Sequence, residues 1–197
     1  MDNYTEAIKT LLEDVKNISF KQAARRLKAK YNSSDDSLEV KMLQKKYHIT
    51  RKGVFFDGKL TSGLVSLMLL NALLSPGDKA MDIAFKPYKS FFGTGGHVGY
   101  FAHAKEGFLA KNWQKVLQNQ DDILSRLDGA QFSGETSADI ALEFEPFANI
   151  KLACLIYKPD EEFGPSAKIL FSANADKYMP AECLEELTRM LVREMVG

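Results

Sequence analysis

The sequence predicts an α+β fold: antiparallel sheet with helices packed on one face, in a single domain. Three observations predict it. Short apolar runs alternate with polar residues at period two in two separate regions, around 38–56 and 138–171. Stretches with apolar residues at i, i+3, i+4 and i+7 flank and separate those regions. No repeat of fixed period and no low-complexity linker divides the 197 residues.

Tyr4, Ala7, Ile8, Leu11, Leu12 and Val15 form one helical face. Ser19 is placed to cap a second helix, with Phe20, Ala23, Ala24, Leu27 and Tyr31 inward and Lys21, Arg25, Arg26, Lys28 and Lys30 outward. After a polar break at 32–36, three short strands are expected around Leu38–Val40–Met42, Tyr47–Ile49 and Val54–Phe56. Turn signals at Lys52-Gly53 and Asp57-Gly58 make them an antiparallel meander. Thr61 or Ser62 caps a helix over 63–74, apolar nearly all round and therefore central, which Ser75-Pro76-Gly77 ends. From 79 to 107 the periodicity fails, and glycine and aromatic residues accumulate. Leu109, Trp113, Val116 and Leu117 restore a helical face, and a short helix capped by Asp121 and closed by Gly129 follows. Ala138, Ile140, Leu142 and Phe144 alternate with acidic residues, a half-buried strand. Residues 150–157 are apolar on both faces, a central strand, and 167–171 pair beside it. Pro180 at a first helical position opens a terminal helix with Leu184, Leu187, Leu191 and Met195 on its face.

Composition narrows the function classes. A 45% hydrophobic and 26% charged chain is ordinary for a globular protein, and zero net charge gives no general pull toward nucleic acid or anionic membrane. The charge is unevenly spread: residues 16–59 hold twelve basic against four acidic side chains, so this third is basic and the rest acidic. Cys154 and Cys183 belong to no C-x-x-C pair, which excludes a zinc site of the usual four-ligand kind and an autonomous iron–sulfur cluster. Both read as buried free thiols of a reducing compartment. The N-terminal residues are amphipathic and acidic rather than a basic stub before an apolar core, and the longest apolar run, 64–74, is too short to span a bilayer. A cytoplasmic protein without a membrane segment is expected.

The C-terminal third carries a distinctive set: Tyr157, the Asp160–Glu162 acidic step, Pro165, Ala167, Leu170-Phe171, Ala173, Ala175-Asp176, Tyr178 and Pro180. With the apolar helix and aromatic run ending near Tyr100-Phe101, these residues resemble the domain of unknown function 3786 family of anaerobic bacteria and archaea. The likeness covers about 60–197, behind a first part (1–59) of basic helices and short antiparallel strands. Members of that family are sometimes fused behind a cysteine-rich iron–sulfur domain of the type attached to corrinoid proteins. The resemblance therefore implies an accessory role in anaerobic metabolism, and by that fusion habit a corrinoid or haem connection. It supplies no catalytic residues to carry over.

Several side chains are candidates for a site. Gly93-Thr94-Gly95-Gly96 lacks the Lys-Ser/Thr end of a Walker loop and reads as a flexible turn between aromatic clusters. Around it lie Phe91, Phe92, His97, Tyr100, Phe101 and His103, aromatics that follow no core periodicity beside glycines that let backbone approach a ligand. His97 and His103, six apart, would not share a face of an unbroken α-helix, so a joint metal site is not expected. Single ligation of a tetrapyrrole metal by either ring remains open. Asp160, Glu161 and Glu162 group three carboxylates, but consecutive positions splay, as in a solvated turn. The basic stretch 21–30 lacks a second helix at helix-turn-helix distance and reads as a solvated face.

These readings favour a non-catalytic module that binds a small ligand or a protein partner through the 91–103 aromatics. One alternative is an enzyme with the acidic loop and His97 or His103 across a cleft, which requires hydrogen-bond reach between them. Others are a corrinoid- or haem-related binding protein and nucleic-acid binding through the basic N-terminal helix.

Overall fold

The fold is taken from a computed structural model that describes residues 4–77 and 84–197. Within the aperiodic stretch, residues 79–83 thus lie outside the described residues. Helix α1 (Thr5–Val15) and α2 (Phe20–Arg26) come first, and Ser19 caps α2 by accepting the Gln22 N–H. The second helix is shorter than its pattern predicts. Lys28 adopts φ 51°, a left-handed conformation that stops the helix, and Tyr31 falls in strand β1 (Lys30–Asn32) instead. There its hydroxyl donates to Asp36.

Strands β2 (Ser37–Met42), β3 (Lys45–Thr50), β4 (Gly53–Phe56) and β5 (Lys59–Leu60) form the expected meander, with β1 added beside β2. Leu38, Val40, Met42, Tyr47 and Ile49 are all buried, as period two requires. Arg51 ties this meander to the first two helices. Its guanidinium donates to the carbonyls of Val15 and Ile18 and to Asp36, and it covers the Phe20 ring at 3.9 Å. Helix α3 (Gly63–Leu74) packs between α1 and the C-terminal helix, and burial of nearly its whole circumference matches its all-round apolar sequence.

After β6 (Phe85–Pro87), a 3-10 turn over Tyr88–Ser90 and the glycine loop lead into α4 (Val98–Phe101). A π-helical turn, Ala102–Glu106, connects α4 to α5 (Gly107–Lys111). Helices α6 (Trp113–Gln118) and α7 (Gln120–Leu127) continue, with Leu117 exposed rather than on the buried face. Asn119, not Asp121, occupies the N-cap position of α7. At its other end Asp128 takes the left-handed conformation (φ 55°), while Gly129 donates its N–H to Leu124.

Strands β7 (Ala130–Gln131), β8 (Ile140–Phe147), β9 (Ile150–Tyr157) and β10 (Ser166–Ser172) complete a ten-stranded antiparallel sheet. Ala138 lies before β8 rather than in it. The order β5-β4-β3-β2-β8-β9-β10-β6 joins the N-terminal meander to the C-terminal strands at Met42 opposite Phe147. One sheet therefore runs through both halves, and β9 is flanked on both edges as predicted. Register puts Ile140, Leu142 and Phe144 on the same face as Leu152, Cys154 and Ile156, and as Ala167, Ile169 and Phe171. Helices cover that face. On the other, Phe85 and Phe132 meet edge-on at 5.3 Å. Helix α8 (Ala181–Val196) follows Pro180, which sits one place earlier than expected, at the N-cap position. Leu184, Leu187, Leu191 and Met195 are all buried.

Candidate functional site

Chemistry-bearing side chains gather around the π-helical turn. In an α-helix, residues five apart are rotated by about 140° and point away from one another. A π turn closes i to i+5 and brings such residues onto one side. Two pairs result. Tyr100 and Lys105 meet on one side of the turn, with the ammonium 4.2 Å from the ring centroid. Phe101 and Glu106 lie on the other, and both line a cavity of 430 Å³.

Lys105 is buried to 2% exposure and points to Glu185 of α8, with Nζ 3.1 Å from Oε1. The same carboxylate receives the Tyr88 hydroxyl at 3.4 Å and has the His97 Nδ1 atom at 3.5 Å, while Tyr88 also reaches the Ala181 carbonyl. Glu185 lies in the sequence stripe Glu185, Thr188, Val192, whose last two members are fully buried. It thus occupies a core-facing position of an amphipathic helix. A buried ion pair is costly unless further contacts support it, and here the Tyr88 hydroxyl donates to Glu185 with His97 beside it, while the Tyr100 ring faces the ammonium. Burial, then the Glu185 charge and hydrogen bond, push the Tyr88 phenol up to about 12.

The aromatic floor is continuous with this cluster. Tyr88 stacks on Phe101 with centroids 4.2 Å apart, and both rings lie on Phe171 of β10, which Phe91 meets edge-on at 5.4 Å. Lys86 covers the outer face of Phe91 at 4.2 Å. Glu106 has a second task. β6 pairs with β10 only at Leu170, Phe171 and Ser172, and the Glu106 carboxylate takes the free N–H of Ile169 and faces Lys168. The 430 Å³ cavity opens here, walled by Pro87, Tyr88, Val98 and Phe101, with Lys89, Glu106 and Lys168 at its rim. A smaller cleft of 150 Å³ lies against α8, beside Tyr100 and Lys105.

The candidates named from sequence separate into three groups. Phe101, Tyr100 and His97 belong to the cluster: Phe101 and Tyr100 line the two concavities, and His97 faces Glu185. Phe91 is core. Phe92 and His103 point to solvent, Phe92 at 98% exposure, and neither has a polar or ring partner among the described residues. In the acidic loop, Asp160, Glu161 and Glu162 are all exposed. The Asp160 carboxylate accepts the N–H groups of Glu162 and Phe163, which hold its pKa below the ordinary carboxylate value, and it closes its own turn. No hydrogen bond or ion pair joins this loop to His97 or His103 among the described residues. Of the basic stretch, Arg26 turns inward to the Leu73 carbonyl and Lys28 pairs with Glu145, so two of its five cations have partners.

Tyr88, Lys105, Glu106 and Glu185 were not legible as site residues. A π turn leaves no apolar periodicity of its own, and Lys105 and Glu185 are eighty positions apart. The single available signal was the failure of periodicity after residue 79.

Cys154 and Cys183 are free and buried, and burial pushes both thiols up to about 12. With Tyr88, three groups thus hold their protons more tightly when folded than their ordinary values of 9.0 and 10.0. Stability from them is fully present below pH 9 and is lost as the pH rises toward 12. Each group ionised only in the unfolded chain gives a slope of about 1.4 kcal/mol per pH unit. Urea denaturation between pH 8 and 11 should therefore show falling stability, with a shallower slope in Cys154→Ala. A flat profile would contradict these environments.

No helix among the described residues is long and apolar enough to cross a membrane. Neither a curated protein nor a solved structure matches the chain. A family match covers residues 19–194, taking in α2 and the meander strands as well as the stretch from residue 60 onward. The aromatic floor, the π turn and the Lys105–Glu185 pair all lie inside that span, and the chain belongs to the family described as Domain of unknown function (DUF3786).

Proposed function

We propose that this chain is a non-catalytic module that binds a small apolar or aromatic molecule in the 430 Å³ cavity beside the π turn. The observation that carries this reading is the Phe101–Glu106 pair, which a π turn alone brings to one side and which lines that cavity. Single π turns inside helices recur at functional sites because the inserted residue weakens the helix and has to be held by other contacts. The volume falls in the range of small-ligand pockets, and the wall of Pro87, Tyr88, Val98 and Phe101 supplies apolar area on a rigid floor. Lys89 and Lys168 at the rim suit a polar or anionic group on the ligand.

Native mass spectrometry and an absorbance spectrum of protein purified without oxygen test this reading directly, since a retained small molecule would be weighed and a tetrapyrrole seen. With indole as probe, amide shifts should saturate and map to residues 87–106. Val98→Trp fills the cavity and should weaken indole at least tenfold. Shifts that do not saturate, or that survive Val98→Trp, would refute the cavity as the site.

A further inference from the structure

We propose that the cleft on the opposite side of the π turn is a second site, for a small anion carried on a single flat ring. It lies between the π turn and α8 and is lined by Tyr100, Lys105, Phe108, Arg189 and Arg193. Its lining holds three cations and no carboxylate. Lys105 and Arg189 are fixed in place by Glu185 and Glu186, the latter through two hydrogen bonds of 2.7 and 2.5 Å, and neither acid lines the cleft. Arg193 has no ion pair among the described residues, so one positive charge is left over. Cations already immobilised lose little side-chain entropy when an anion arrives, and a planar guanidinium matches the two oxygens of a carboxylate or phosphate.

The ring is argued from the two aromatic residues of the cleft. Tyr100 at 57% and Phe108 at 39% are among the few large apolar side chains left exposed, and both line this one cleft. Eight residues apart, they come to the same side through the π turn. Lys105 lies over the Tyr100 ring and fixes it. Stacking on such rings accepts any flat partner, while the arginines demand charge. At 150 Å³ the cleft is smaller than pockets that enclose drug-sized molecules, roughly 300–1,000 Å³, which limits the ligand to one ring and its anion.

The test is calorimetric titration of the full chain with phenyl phosphate, inorganic phosphate and benzyl alcohol. Phenyl phosphate should bind saturably, at least tenfold tighter than either the anion or the ring alone. Arg193→Ala, an exposed position, should weaken it at least tenfold with an unchanged thermal midpoint, and Arg193→Gln should do the same. Val98→Trp, in the other cavity, should leave it unaltered. Equal affinity for phenyl and inorganic phosphate would overturn the proposal. So would binding indifferent to both Arg193 variants, or binding lost in Val98→Trp, which would assign the ligand to the cavity of the proposed function. Failure of indole to bind saturably to the unsubstituted chain, with phenyl phosphate binding intact, would refute that first reading and leave this one standing.

Discussion

Phe171→Ala should be among the most damaging substitutions, at about 3–5 kcal/mol. Its side chain is fully buried in β10, and the rings of Tyr88, Phe91 and Phe101 lie 5.4–6.1 Å from it. Truncation removes the transfer free energy of a benzyl group and leaves a void under three rings. Those rings connect the sheet to the segment that carries both concavities, so their collapse cannot fill the void without moving the site. Urea denaturation measures the loss, with Phe92→Ala as the contrast. Phe92 is almost wholly exposed, and its truncation should stay within about 0.5 kcal/mol of wild type. A Phe171→Ala cost below about 1 kcal/mol would mean that the cluster does not rest on this ring.

The second large effect is Glu185→Gln, again about 3–5 kcal/mol, from leaving a buried ammonium without its counter-charge. Lys105 is 2% exposed, and its one carboxylate partner among the described residues is Glu185. Lys105→Met should cost less. It removes the buried charge itself and leaves Glu185 with the Tyr88 hydroxyl and with the exposed His97 ring beside it. The order of the two is the informative result. Equal midpoints in urea, or a larger loss in Lys105→Met, would show that Lys105 finds compensation elsewhere. The two readings predict the same ligand response in different places: either variant loosens the π turn, and both concavities with it.

The regular parts of the fold were legible because burial is written locally. Leu38, Val40 and Met42 alternate, and so do Ile140, Leu142 and Phe144; β9 is apolar on both faces; α3 is apolar all round; α8 carries its Leu stripe. In each case the environment follows from the period, which the backbone geometry imposes. Boundaries were less secure. Tyr31 fits the helical face of α2 by spacing, yet the left-handed turn at Lys28 sends it into a strand, and no glycine marks that turn.

What the sequence by itself determined is the α+β class, the central position of β9 and the burial of both cysteines. The tertiary structure alone decided how the residues 91–103 are arranged. It separated Phe91 and Phe101 of the core from the exposed Phe92 and His103, and it brought Lys105, Glu185, Tyr88 and His97 together. The physical reason is that one extra residue in a helical turn, and an ion pair between positions eighty apart, obey neither period of two nor of 3.6. They exist only when α8 and the sheet hold the π turn between them.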